Sequence, residues 1–279
     1  MKTPATNSTL VPFCIHGPPR SGTTWLGEIF NSHPRVCYKF QPLFSFALKE
    51  LITGSSSREE IQEFFDILPR TQDAFLDQED ARRQNLAPVF EKEHPTHVAY
   101  KEVRYHSILP NLLRKHPVPH VFLMVRDPRA TINSWWKSPK EFRRDLGWEI
   151  EQEWRYAARK NLNRAEEYNG FERWKEAVRL FVHLAAIYPH RVTLIRYSDF
   201  LKDPVGNAAK LVQTVGLDFP TQTRYFLQRP HDAGKAQDRY SVFRPRKQDN
   251  EWRSSLPTKI ADEIERELTS TDLKMFLDD

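Results

Sequence analysis

Residues 13–30, FCIHGPPRSGTTWLGEIF, hold Gly17 and Gly22 in the G-x-x-x-x-G spacing of a phosphate-binding loop. Such a loop joins a strand to a helix, where free backbone N–H groups and the positive helix end attract an anion. Glycine at both positions lets the backbone turn sharply and approach the ligand. Ser21, Thr23 and Thr24 add hydroxyl donors. In a nucleoside triphosphatase the second glycine is followed by a lysine for the β- and γ-phosphates and a hydroxyl for Mg²⁺. Here Thr23 follows, and the basic residue is Arg20, upstream in the turn. Arg20 would lie beside the terminal phosphate and whatever is bonded to it. That arrangement suits a donor with one 5′-phosphate bearing a transferable group and calls for no metal. It disfavours a P-loop kinase or NTPase.

A second cluster, VRDPRATINSWW, begins with Arg126 and reaches Ser134 eight positions later. Arg126 offers a permanent, planar, bidentate charge, and Ser134 a hydroxyl two turns into a following helix. Read alone, Arg-Asp-Pro after a strand is equally a turn with a local ion pair. No H-E-x-x-H, C-x-x-C or G-x-S-x-G occurs, and the ten histidines are scattered, so no metal site is expected.

These residues need strand ends to carry them. Short apolar runs at 11–15, 97–103, 120–125 and 191–197 predict buried parallel strands. Helical patterns fall between and after them, at 23–32, 57–68, 149–160, 166–187, 205–215 and 257–269, with Ser57 and Glu60 spaced as a capping box. The alternation predicts an α/β fold: a P-loop-like parallel sheet of about four to five strands with helices on both faces. One domain over 1–279 is expected, with a disordered N-terminus at 1–10. The charged, Pro-containing stretches 69–95, 137–148 and 228–252 fit no element and are expected to cover the sheet ends.

The net charge of +5 points to anionic partners and by itself suits nucleic acid, a membrane surface or a phosphorylated small molecule equally well. Nucleic acid is not the expected partner, and the oligomeric state is not legible. No apolar run approaches the ~20 residues of a membrane span. The first residues lack a signal-peptide pattern, so a cytoplasmic enzyme is expected. A secretory-pathway protein trimmed of its leader would read the same.

PPRSGTTWL resembles the 5′-phosphosulfate loop of sulfotransferases that use 3′-phosphoadenosine 5′-phosphosulfate (PAPS) and release 3′-phosphoadenosine 5′-phosphate (PAP). In motif it is most similar to the carbohydrate-modifying branch. The resemblance implies that Arg20 contacts the bridging oxygen between phosphate and sulfate. It implies too that Ser21, Gly22, Thr23 and Thr24 hold the 5′-phosphate, with Trp25 near adenine. The second cluster is similar to the family's 3′-phosphate motif, with Arg126 and Ser134 as the pair. RYSDFLKDP resembles a stretch whose tyrosine, here Tyr197, approaches the adenine. FRPRKQDNEWR resembles a late loop over the 3′-phosphate, with Arg244, Arg246 and Lys247 as candidates.

The pattern fails at the general base. Relatives place a glutamate where YKFQPLF has Gln41, or a histidine where KEVRYH has Val103. Glu102 and His106 are the substitutes in view, although strand alternation sends Glu102 to the face opposite Lys101. An exposed glutamate and a capping histidine are the plain alternatives. Lys101 is the candidate second cation for charge developing on the leaving phosphate. The aromatic residues Tyr38, Phe40, Phe44, Phe46, Trp135 and Trp136 line an acceptor pocket or belong to the core. The function expected is sulfuryl transfer from PAPS to a hydroxyl or amine of an unidentified acceptor, a carbohydrate or a small molecule. The alternative from another class is a non-catalytic nucleotide-binding module on the same scaffold.

Overall fold

The computed structural model describes residues 10–228 and 249–278. Its centre is a five-stranded, all-parallel sheet built from β1 (Val11–His16), β2 (Val36–Phe40), β3 (His97–Glu102), β4 (His120–Val125) and β5 (Val192–Arg196), in the order β2-β3-β1-β4-β5. Four of these are the strands expected from their apolar runs. The fifth, β2, has the sequence VCYKF, whose Lys39 interrupts the apolar run. Lys39 is nonetheless buried, because its ammonium donates to the Thr71 carbonyl at 2.6 Å and pairs with Asp77 at 2.8 Å.

Helices cover both faces. On one, Phe13, Ile15, Ala99, Phe122 and Met124 pack against Leu26, Ile29 and Phe30 of α1 (Thr23–Asn31) and against Ala208, Leu211 and Val212 of the helix Pro204–Thr214. On the other, Cys14, Val98, Tyr100, Leu123 and Val125 meet Phe64 and Phe65 of α2 (Arg58–Ile67) and Trp174, Val178 and Phe181 of the helix Phe171–Ile187. Each buried Val, Leu, Ile, Phe or Met among them stabilises the fold by roughly 1.5–3 kcal/mol. The capping box forms as expected: Ser57 Oγ accepts from the Glu60 N–H while Glu60 accepts from the Ser57 N–H.

Two predicted helices change shape. The span 149–160 breaks into Ile150–Glu153 and Ala158–Asn161, with Ala157 between them in the left-handed region at φ 47°. The long helix begins at Phe171 rather than 166, after Gly170 at φ 84°. The expected N-terminal disorder at 1–10 falls, apart from Leu10, outside the described residues.

Parallel strands point all their carboxyl ends to one edge, which is where ligands of open α/β sheets bind. The register pairs His16 with Glu102, and His16 with Leu123. The loop after β1 is therefore flanked by the ends of β3 and β4. Lys101, the Gly17–Gly22 loop and Arg126 meet there for reasons of topology alone.

Candidate active site

The loop's glycines are set by close contacts. Gly22 has φ 94°, and a Cβ there would lie 2.5 Å from Cε2 of Tyr197. A Cβ at Gly17 would lie 2.5 Å from the Met124 carbonyl oxygen. Arg20 itself takes φ 70°, the left-handed region that side chains resist. Gly22 is the N-cap of α1, and among the described residues no side chain caps the helix. Its first-turn N–H groups thus face the concavity of the loop, a cradle for an anion.

Two arginines frame this cradle. Arg20 Nε donates to Ser134 Oγ at 3.2 Å, and its Nη1 pairs with Glu141 at 3.3 Å. Arg126 donates from Nη1 to the Arg20 carbonyl at 2.9 Å, and its guanidinium lies 5.2 Å from the Tyr197 ring centroid. The rest of its fork holds the Asp249 carboxylate, Nε to Oδ2 at 2.6 Å and Nη2 to Oδ1 at 2.5 Å. Both side chains of that pair are almost fully buried, at 7% and 5% exposure. Trp174 fixes the strand end by donating Nε1–H to the Arg126 carbonyl at 3.1 Å.

The turn beyond it has its own lock. Asp127 caps the helix Pro128–Trp136 through the Arg129 N–H at 2.7 Å and pairs with the Arg129 guanidinium. The Asp278 N–H donates to Asp127 at 2.8 Å, and Arg129 Nη2 donates to the Asp278 carbonyl at 2.6 Å. The turn reading of Arg-Asp-Pro is present, its local ion pair made by Arg129, while Arg126 borders the cradle with its fork held by Asp249.

Lys101 and Glu102 end β3 on opposite faces, and both are buried. The Lys101 ammonium sits 4.2 Å from the Phe40 ring centroid. Burial pulls its pKa below the usual lysine range, against the opposing pull of Glu102. Glu102 reaches beneath the turn after β2, where its Oε1 accepts the Leu43 N–H at 2.8 Å, and its Oε2 has no hydrogen-bond partner among the described residues. Burial raises its pKa well above the ordinary carboxylate value. It is thus neither the exposed glutamate of the plain reading nor an open base. Gln41, directly above, accepts from Arg104 Nη1 at 3.0 Å.

His106 is sealed in the core. Its Nδ1 is 3.1 Å from His16 Nδ1, and Tyr168 and Phe181 pack on its ring. Burial, and then His16, push its pKa well below the usual histidine value. Tyr197 is also buried, its ring beneath the loop and 6.3 Å from that of Trp25. Ser21 turns inward, donating its hydroxyl to the Pro18 carbonyl at 2.6 Å. Of the proposed pocket aromatics, Tyr38 and Trp135 are core residues, whereas Phe44 and Phe46 are exposed. Arg244, Arg246 and Lys247 lie outside the described residues. Glu141 and Asp249 were not among the candidates from sequence. Their only signal is that they are acids inside the basic stretches that fit no element.

The fold and cradle define an α/β protein of the P-loop type with arginine in place of the triphosphatase lysine. A family model described as "Sulfotransferase family" matches residues 12–221. The chain belongs to that family. No curated protein matches it. Among solved structures, a mouse sulfotransferase complexed with PAP is similar at 17% identity and a TM-score of 0.57, over 96% of this chain and 88% of that one. Retinol dehydratase in complex with retinol and PAP is similar at 16% identity and a TM-score of 0.53, over 94% and 82%. At such identities the likeness speaks to the fold, and its five-stranded parallel sheet agrees with the expectation from sequence.

Proposed function

We propose that this sulfotransferase takes its sulfuryl group from PAPS and passes it to a hydroxyl or amine acceptor, with Arg20, Lys101, Arg126 and Ser134 as its working residues. The observation that carries the reading is the bond from Arg20 Nε to Ser134 Oγ, which joins two phosphate motifs 114 positions apart into one site. PAP in two of the similar structures supports the same donor.

In this reading the N–H groups of α1, with Thr23 and Thr24, hold the 5′-phosphate. Arg126 and Ser134 hold the 3′-phosphate, and Trp25 and Tyr197 border the adenine. The acceptor oxygen attacks sulfur in line. A new S–O bond forms as the bridging S–O bond breaks, and its electron pair remains on the phosphate oxygen. Arg20 and Lys101 stabilise that growing charge, which is worth most in a dry site. By holding Arg20 when no donor is bound, Ser134 would restrain premature hydrolysis. Glu102 and His106, the base candidates from sequence, are too enclosed to receive a proton from an arriving acceptor. A cytoplasmic location belongs to the same proposal; both cysteines are free thiols, and cell fractionation tests it.

The test is a calorimetric titration with PAP, followed by incubation with ³⁵S-labelled PAPS and a panel of sugars, phenols and amines. Saturable PAP binding lost in Arg126→Ala, together with a labelled product, is the expected result. No PAP binding by the intact protein would reject the donor.

A further inference from the structure

The two positions that supply the family's base hold Gln41 and Val103, and their nearest substitutes are shut away. The transfer still has to remove a proton from its acceptor. A base must stand within hydrogen-bond reach of the reacting hydroxyl, and so beside the group that grips the sulfuryl end of the donor.

Among the described residues, one carboxylate meets that requirement. Glu141 Oε1 is 3.3 Å from Arg20 Nη1, and its side chain keeps 20% of its surface open. Its charge acts on Lys101 as well as on Arg20, so it lies near both cations proposed to stabilise the leaving group. The backbone holds it firmly. After the helix Pro128–Trp136 the chain turns tightly, with the N–H groups of Glu141 and Phe142 both donating to the Ser138 carbonyl, at 3.0 and 2.7 Å. Phe142 is a buried anchor, its ring centroid 5.0 Å from that of Trp135 and 5.7 Å from that of Trp148. Glu141 is therefore fixed at the root by the backbone turn, with a fifth of its side chain accessible.

We propose that Glu141 is the general base of the transfer, and that its ion pair with Arg20 is the resting arrangement. The proposal rests on the reading of Arg20 as the residue that grips the phosphosulfate. When the donor arrives, the guanidinium turns to the bridging oxygen and the carboxylate is released towards the acceptor. The acceptor proton passes to Glu141 as the S–O bond forms, and PAP leaves with the electron pair of the broken bond. In the reverse direction, protonated Glu141 gives its proton to the departing acceptor oxygen.

Reverse transfer to PAP from aryl sulfates of graded leaving-group pKa separates this role from a structural one. Glu141→Gln should form PAPS from p-nitrophenyl sulfate within about threefold of the unaltered protein, because that phenolate departs unaided, yet lose about 10²-fold with phenyl sulfate. Glu141→Asp should recover part of the loss. Release of labelled sulfate from PAPS to water should fall about 10²-fold in Glu141→Gln as well. PAP affinity, measured by calorimetry, should hold or tighten, since the Glu141 charge no longer competes for Arg20. A constant ratio along the aryl series, or unimpaired hydrolysis in Glu141→Gln, overturns the proposal. If the unaltered protein binds no PAP, the donor reading beneath it falls instead.

Discussion

Asp249 grips the arginine proposed for the 3′-phosphate with both carboxylate oxygens. A phosphate can reach that fork only by displacing it. Hydrogen bonds to charged groups contribute about 1.5–3 kcal/mol net. If the pair as a whole favours the occupied fork by that much, the apparent PAP dissociation constant is raised by about 10- to 150-fold. Asp249→Asn removes the competing charge but keeps a neutral acceptor, so the lower end applies. PAP should bind about tenfold tighter to the variant. Stability without ligand should move the other way. Leaving Arg126 buried without its counter-charge costs up to about 3–5 kcal/mol, and the melting temperature should fall by several degrees. Saturating PAP should restore it, because the phosphate replaces the missing carboxylate. Calorimetry and melting curves with and without PAP measure both effects. Equal or weaker PAP binding by Asp249→Asn, or a melting loss that PAP leaves untouched, would refute the reasoning.

Three further variants probe the neighbouring parts. Arg20→Gly suits the left-handed backbone at that position; labelled-PAPS turnover should drop about 10²–10³-fold while melting shifts little, since the loss is of charge at the leaving group. Gly22→Ala meets both a positive φ and the Tyr197 ring; it should destabilise by about 1–3 kcal/mol in denaturant titrations and weaken PAP binding, and unchanged affinity would count against the cradle. Glu102→Gln tests the buried carboxyl by pH. Because burial raises the Glu102 pKa, the folded protein keeps that proton longer than the unfolded chain, and the resulting stability is lost as pH rises from about 5 to about 8. The melting temperature of Glu102→Gln relative to the unaltered protein should climb across that window; a flat difference would show that Glu102 ionises normally.

What was legible in the sequence followed from local chemistry. The apolar runs found four strands, because a strand buried on both faces must be apolar throughout. The cradle was legible because glycine spacing and helix-start hydroxyls are short-range signals. Strand β2 was harder, since Lys39 is buried through partners at Thr71 and Asp77, over 30 positions away. The break at Ala157 was hidden for a related reason: helical periodicity continues through 149–160, and the left-handed turn shows only in the backbone. Glu141 and Asp249 were unreadable because their meaning comes from arginines more than 100 positions upstream. An acid within a basic stretch looks like ordinary surface until the chain has folded.

The contact of Asp278 with Asp127 and Arg129 makes the segment that follows Phe276 a strut under the turn that aims Arg126. Substitutions around Asp278 are therefore not neutral ground here: a change there would pull on the Arg126 turn from below, whereas one at Leu10 would load the opposite edge of the sheet.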